Sequence, residues 1–179
     1  MLLVINGAPG VGKSTLAHRY ADEHPLALVV DIDVIRTHLG RWAEREESKL
    51  VARDLAVALT RAHLLGGYDV VVCQYLGRPE FVERLGLVAA ELGTPFVEVL
   101  LSDGTDAIIE RFRRRRTEYE REGLEHPERE LDTDAIAAEL PLAHERLLRD
   151  AASRAALVVS AEGGPEASYR SLCRALDDR

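Results

Sequence analysis

The sequence predicts an α/β fold built on a parallel sheet, and two observations support that prediction. Short apolar runs alternate with longer segments of helical periodicity, which is the pattern of successive strand–helix units. The chain has 179 residues, of which 46% are hydrophobic and 30% charged, as in ordinary globular domains. Because this length is typical of one domain, we expect residues 1–179 to form a single domain with helices on both faces of the sheet.

Five runs rich in Val, Leu and Ile are expected to be the strands, since each is too short for a buried helix. They are residues 2–6, 26–30, 69–73, 95–101 and 156–160. The segments between them are mostly predicted to be helical, which would connect the strands in parallel.

The clearest helical pattern covers residues 44–65, which are followed by Gly66-Gly67 and carry an apolar stripe expected to pack on the sheet. The stripe consists of Leu50, Val51, Leu55, Ala58, Leu59, Ala62 and Leu65. Pro79 is predicted to open another helix, and a further one begins near Thr105. Residues 113–131 are polar, densely charged and without apolar periodicity, so we expect a mobile excursion there.

The net charge limits the kinds of partner that the protein is expected to bind. The formal net charge is −8, so the overall field repels polyanions, which disfavours a nucleic-acid partner. No run approaches the roughly 18 apolar residues of a membrane span, so we expect no membrane association and a cytoplasmic location. Cys73 and Cys173 lie far apart, match no metal-ligand or CxxC spacing and are predicted to be small buried hydrophobic residues.

The most specific motif stands near the start of the chain. It fits the pattern G-x-x-x-x-G-K-[ST], lies between a predicted strand and a predicted helix, and comprises Gly7, Ala8, Pro9, Gly10, Val11, Gly12, Lys13 and Ser14, with Thr15 following. Such a loop turns successive main-chain N–H groups towards a phosphate chain, and the helix adds its positive end. Lys13 is expected to reach the β- and γ-phosphates, and the Ser14 hydroxyl to ligate Mg²⁺.

Carboxylates follow the second predicted strand rather than the third. Gln74 stands where a hydrolysing NTPase usually carries an acid for the Mg²⁺ shell, whereas Asp31 and Asp33 occupy the carboxyl end of the second strand. We expect one of them, Asp33 before Asp31, to accept the proton of a hydroxyl acceptor, with Arg36 one turn away. The alternative is that Asp33 caps a short helix and Asp31 is simply solvated.

Together these residues resemble the small P-loop kinases, and are most similar to the group of polynucleotide 5′-hydroxyl kinases, chloramphenicol phosphotransferase and zeta toxins. The resemblance implies a three-layer P-loop fold with strand order 2-3-1-4-5, Asp33 as general base, Arg36 on the acceptor side and an arginine-rich lid. Gln74-Tyr75 departs from the acidic segment that several members carry after the third strand.

The arginine run near residue 111 admits two interpretations. As a lid it would bring arginines onto the phosphates, with Arg111 and Arg115 on one helical face and Arg114 next. As a solvated helix end it would form salt bridges with the glutamates that follow. Residues 161–165, a Gly-Gly-Pro turn, are a candidate contact for adenine by resemblance.

The expected activity is ATP-dependent transfer of the γ-phosphoryl group to a hydroxyl of a small molecule, with Mg²⁺ and no obligate protein partner. A sugar, a nucleoside or an antibiotic would all fit. Acceptor binding is predicted for side chains flanking the two carboxylates: Asp31, His38, Arg41, Trp42, Gln74, Tyr75 and Arg78. A nucleotide-dependent switch acting through a protein partner and a nucleic-acid 5′-hydroxyl kinase remain alternatives.

Overall fold

The computed structural model describes residues 1–127 and 132–178. Its sheet has five parallel strands in the order β2-β3-β1-β4-β5, so the fold class and the strand order predicted from the sequence are confirmed. The strands are β1 (Leu2–Asn6), β2 (Leu28–Val30), β3 (Val70–Cys73), β4 (Phe96–Ser102) and β5 (Leu157–Ser160).

Helices connect the strands. They are α1 (Lys13–Glu23), α2 (Ile32–Thr37), α3 (Ser48–Leu65), α4 (Pro79–Glu91), α5 (Thr105–Glu122), α6 (Thr133–Ser153) and α7 (Pro165–Asp177). A short 3₁₀ turn, Trp42–Glu44, lies between α2 and α3.

The central strand β1 separates two layers of the core. Leu3 and Ile5 pack with α1, α5 and α7 on one face of the sheet, whereas Leu2 and Val4 pack with α3 and α4 on the other. Because successive side chains of a strand alternate between faces, a fully apolar strand is buried on both sides. This burial fixes the carboxyl end of β1, from which the glycine-rich loop departs.

The predicted excursion at residues 113–131 needs correction, since residues 113–122 continue helix α5. Arginines and glutamates four residues apart support this polar helix: Arg114 lies 4.0 Å from Glu118 and Arg116 lies 3.3 Å from Glu120. Residues 123–127 follow the helix, and residues 128–131 of the predicted excursion lie outside the described part of the chain.

The predicted buried face of α3 is also wrong. Ala52, Ala56, Thr60 and Leu64 face the core, and all seven residues of the predicted stripe are exposed. Both stripes have helical spacing, so periodicity alone could not separate them. The smaller side chains are buried because α3 packs against α2 and the edge strand β2.

None of the helices within the described residues is long and apolar enough to cross a membrane.

Candidate active site

The glycine-rich loop, residues 7–12, joins β1 to α1 and lies close to neighbouring backbone. A Cβ on Gly7 would approach the Leu101 carbonyl oxygen at 2.6 Å. Gly10 has a φ of +85°, and a Cβ there would approach the Ile108 carbonyl oxygen at 2.7 Å. Glycine is therefore required at both positions, by contact with β4 for the first and with α5 for the second. The resulting concave loop has the main-chain geometry expected of a phosphate site.

Helix α1 adds an electrostatic component to this loop. Its N-cap is Gly12, whose residue type provides no side chain to cap the first N–H groups. The unsatisfied N–H groups and the helix dipole favour an anion at this end. Lys13, at the first position of α1, donates from Nζ to the Ala8 carbonyl oxygen over 3.0 Å, which keeps its ammonium group at the loop.

Helix α5 is hydrogen-bonded to the same loop and packs against it. Arg111 donates from Nε to the Gly10 carbonyl oxygen over 3.0 Å and from Nη2 to Asp103 over 2.5 Å. Ile108 and Phe112 of α5 are buried and lie close to Gly10. The first half of the arginine run is thus held against the phosphate loop.

Asp31 lies between helix α2 and the phosphate loop. Its Oδ1 accepts hydrogen bonds from the main-chain N–H groups of Asp33 and Val34, so Asp31 is the N-cap of α2. The alternative in which Asp33 is the cap is therefore wrong. The other oxygen of Asp31 accepts from the Ser14 hydroxyl over 3.2 Å, which places a carboxylate beside the residue predicted to ligate Mg²⁺.

Asp33 lies in the first turn of α2 and is linked to the segment after the neighbouring strand β3. Its Oδ2 accepts a hydrogen bond from Gln74 Nε2 over 3.1 Å. Gln74 directly follows β3, so the amide that replaces the expected acid orients the carboxylate of the adjacent strand instead.

Cys73, at the end of β3, is buried beside Ser14 and Asp31. Its Sγ lies 3.8 Å from Ser14 Oγ and 3.9 Å from Asp31 Oδ2. Burial, and next to it the negative charge of Asp31, raise the pKa of the Cys73 thiol to about 12. The thiol is therefore neutral at physiological pH, as expected of a small buried residue.

A cavity of about 420 Å³ opens between the phosphate loop and the second half of α5. The predicted residues Pro9, Lys13, Ser14, Asp31, Asp33, Gln74, Tyr75 and Arg115 line this acceptor cavity. Residues that sequence reasoning missed complete it: His18, Val34, Cys73, Tyr119, Leu124, Glu125 and His126. Two of them could have been found, because His18 and Tyr119 follow Ser14 and Arg115 by four residues on their helices.

A second cavity of about 260 Å³, the turn cavity, lies on the other side of the loop. Loop residues Val11, Gly12 and Thr15 line it together with Arg111 and Arg114. Ala161, Gly164 and Pro165 of the candidate adenine turn also line it. Arg111 therefore lines the turn cavity, whereas Arg115 lines the acceptor cavity. This corrects the expectation that both arginines converge on one site, because they are one helical turn apart on α5.

Several predicted acceptor residues lie elsewhere. Arg36 is 5% exposed, donates to Ser48 over 2.8 Å and lies 4.7 Å from the centroid of the buried Trp42 ring. Both residues thus belong to the packing between α2 and α3 rather than to the acceptor cavity, which corrects their predicted positions. His38 bonds to the Val34 carbonyl oxygen at an exposed position, and Arg41 pairs with Glu44.

The outer arginines of α5 also lie away from the phosphate loop. Arg113 pairs with Asp134 over 3.3 Å, and Arg116 pairs with Glu120. These exposed pairs match the solvated helix end that the sequence left open. The run is therefore divided between residues at the two cavities and residues on the outer surface.

Sheet order, phosphate loop and flanking helices together define the fold of the P-loop kinases. The family model described as an AAA domain matches residues 2–141, so the chain belongs to this family. No curated protein matches.

Three solved structures share the fold across almost the whole chain. A putative kinase from Chloroflexus aurantiacus has 14% identity and a TM-score of 0.64, covering 99% of this chain and 96% of its own. Shikimate kinase from Bacteroides thetaiotaomicron has 19% identity and a TM-score of 0.61, with coverage of 99% and 98%. A gluconokinase from Sinorhizobium meliloti has 16% identity and a TM-score of 0.58, with coverage of 98% and 93%.

Proposed function

We propose that the protein is an ATP-dependent kinase that transfers the γ-phosphoryl group to a hydroxyl of a small molecule. The observation that carries the proposal is the position of Asp33, a carboxylate in the same cavity as Lys13 and Ser14 of the phosphate loop. A phosphate site and a proton acceptor in one cavity are the two requirements of transfer to an alcohol. The named solved structures of the same fold include a shikimate kinase and a gluconokinase.

On the donor side, the phosphate chain of ATP occupies the loop of residues 7–12, and Lys13 supplies positive charge to the β- and γ-phosphates. The adenine lies in the turn cavity, whose lining includes the predicted turn residues. Arg111, Arg114 and Arg115 reach the two cavities from α5. We assign to these three arginines the stabilisation of negative charge on the transferring γ-phosphoryl group and on the leaving β-phosphate.

On the acceptor side, the hydroxyl oxygen attacks the γ-phosphorus while the bond from that phosphorus to the β–γ bridging oxygen breaks. Asp33 takes the hydroxyl proton, and Gln74 holds the carboxylate through the 3.1 Å hydrogen bond. The phosphorylated acceptor and ADP leave as products. Asp31 takes no part in this proton transfer and serves Ser14 rather than the acceptor.

The residues present fit Mg²⁺. The Ser14 hydroxyl and the Asp31 carboxylate lie 3.2 Å apart, and both provide the oxygen donors that this cation prefers. Ser14 would be the direct ligand, with Asp31 holding a water of the hydration shell. When bound, Mg²⁺ neutralises charge that develops on the phosphate oxygens.

A small molecule is the expected acceptor rather than a nucleic acid. The outer arginines Arg113 and Arg116 pair with carboxylates of α6 and α5, Arg114 at the turn cavity lies 4.0 Å from Glu118, and the chain has a net charge of −8. These features leave little positive surface for a polynucleotide backbone.

The test is transfer of labelled γ-phosphate from ATP into a panel of hydroxyl compounds by the wild-type protein and by Asp33→Asn. We expect Asp33→Asn to lower kcat by about 10²- to 10⁴-fold, since it loses the proton acceptor. The affinity for ATP, measured by calorimetry, should stay close to that of the wild type.

The matched control is Asp22→Asn, which changes a carboxylate at the far end of α1 and should keep its activity. Near-normal turnover of Asp33→Asn on an accepted compound would contradict the base assignment. Absence of transfer to every compound, with a nucleotide-dependent change in protein association, would favour the switch instead.

A further inference from the structure

A third cavity, of about 420 Å³, adjoins the acceptor cavity on the side away from the phosphate loop. Tyr75 lines both cavities, and the residue before it, Gln74, holds Asp33. A molecule that places a hydroxyl at Asp33 could therefore extend past Tyr75 into the third cavity without leaving the protein surface. We call this third cavity the arginine cavity, because Arg53 of α3 and Arg78 before α4 both line it.

The two arginines differ from the other arginines of this surface. Arg45, Arg61 and Arg84 each lie within 4 Å of a carboxylate. Within residues 1–127 and 132–178, by contrast, the side chains of Arg53 and Arg78 make no hydrogen bond and no ion pair. Both guanidinium groups are therefore available to a ligand at the same cavity.

The surroundings of these arginines suit an oxyanion. The Arg53 guanidinium lies over the Phe81 ring at 5.9 Å from its centroid, a contact that holds the cation in place and leaves its N–H edge available. Helix α4 begins at Pro79 beside the cavity, and the side chain of its N-cap, Arg78, makes no capping hydrogen bond. The positive end of α4 therefore adds to the two side-chain charges. Glu80 also lines the cavity and is its one carboxylate among the described residues.

We propose that the arginine cavity binds an oxyanion carried by the acceptor, a carboxylate or a phosphate ester separated by several bonds from the hydroxyl that is phosphorylated. The proposal rests on the kinase function argued above and narrows the acceptor to a hydroxylated anion. Each guanidinium group can donate two parallel N–H hydrogen bonds to the oxygens of a carboxylate or a phosphate. Tyr75 forms the wall between the two sites.

The first experiment compares neutral acceptors with anionic acceptors of related carbon skeleton. Glycerol, glycerate and glycerol 3-phosphate, and likewise glucose and gluconate, are offered to the wild type, Arg53→Gln, Arg78→Gln and Glu80→Gln. We expect the wild type to have a higher kcat/KM for the anionic members. The ratio of anionic to neutral kcat/KM should fall about 10-fold in either arginine variant, through KM, and rise in Glu80→Gln.

The control is Arg84→Gln, which removes an arginine of α4 that is paired with Asp54 and should leave the ratio unchanged. A wild type that prefers the neutral members would overturn the proposal, as would an equal fall of the ratio in Arg84→Gln. The carboxylate and phosphate members tell which oxyanion the cavity accepts.

A binding measurement separates this proposal from the kinase function. The side-chain Nε signals of Arg53 and Arg78, assigned by NMR from the two glutamine variants, are followed during titration with acetate and with inorganic phosphate. A non-hydrolysable ATP analogue and Mg²⁺ are present so that the phosphate loop is filled. We expect both signals to shift. Shifts without any transfer would mean that the kinase function fails while the anion site stands, and unchanged signals would overturn the anion site even if transfer occurs.

Discussion

The donor half and the acceptor half of the site are built in different ways. The phosphate site of the donor half consists of consecutive residues, 7–15, whose backbone forms the phosphate loop and whose geometry depends on glycine. The acceptor half brings together side chains from α1, α2, the segment after β3, α5 and the residues after α5. The first is specified by a local motif and the second by the tertiary fold.

This difference separates the chemistry that the fold preserves from the chemistry that it can vary. A loop made of main-chain N–H groups binds the same phosphate chain whatever the acceptor is. Side chains such as Tyr119 and His126 can be replaced without altering the loop, so acceptor choice can change while the donor site remains. Substitutions on the donor side should accordingly affect every acceptor, whereas substitutions of acceptor-side residues other than the proposed base Asp33 should affect only some.

On the donor side the largest effect is expected from Lys13→Ala. This change removes the ammonium group that lies at the phosphate loop, and with it charge stabilisation of the transferring group. We expect kcat/KM to fall by about 10²- to 10³-fold for every acceptor alike. Labelled-phosphate transfer measures the change, and Lys49→Ala, which removes an exposed lysine paired with Glu46, is the control. A loss confined to one acceptor would contradict the division of the site.

The next effect is expected from Gly10→Ala. The added Cβ would approach the Ile108 carbonyl oxygen at 2.7 Å and the Phe112 nitrogen at 3.0 Å, at a φ of +85°. We expect a loss of about 1–3 kcal/mol in the free energy of unfolding from strain, together with weaker ATP binding. Urea unfolding and calorimetry measure the two quantities.

Gly93→Ala is the matched control for Gly10→Ala. Gly93 also has a positive φ, +61°, but a Cβ there would meet nothing within 4 Å. It should share the backbone strain and keep ATP binding. If both variants lose ATP binding equally, packing of the loop against α5 is not what shapes the donor site.

The same contrast between local motif and tertiary fold explains which features could be predicted from the sequence alone. The five strands and the phosphate loop were predicted because apolar runs and glycine spacing are local signals. The face of α3 was not, since two stripes of helical spacing compete and only the position of α2 decides between them. The sequence also could not show that Asp31 rather than Asp33 caps α2, or that Arg36 stacks on Trp42, because these depend on side-chain packing.

A smaller effect, at the border of the two halves, is expected from Asp31→Asn. Asparagine caps helices as well as aspartate does, so α2 should persist, while the charge beside Ser14 is lost. We expect the Mg²⁺ concentration for half-maximal transfer to rise by about 10- to 100-fold, as when a group supporting a metal ligand is removed.

The control for this variant is Asp132→Asn, in which the changed residue caps α6 through Asp134 and Ala135 in the same way but lies away from Ser14. An unchanged Mg²⁺ requirement in Asp31→Asn would mean that Asp31 serves only as a cap.

The smallest effect is expected on the acceptor side, from Tyr119→Ala. Tyr119 stacks on His126, with ring centroids 4.7 Å apart, and both line the acceptor cavity. Because a stacked pair is worth about 0.5–1.5 kcal/mol, we expect KM for the acceptor to rise about 2- to 10-fold, by different factors for different acceptors, while KM for ATP does not change. Tyr68→Ala, which removes the tilted ring contact of an exposed tyrosine with His63, controls for loss of an aromatic pair. A parallel rise of KM for ATP would show that the second half of α5 contributes to the donor side, and the two halves of the site would then not be separable.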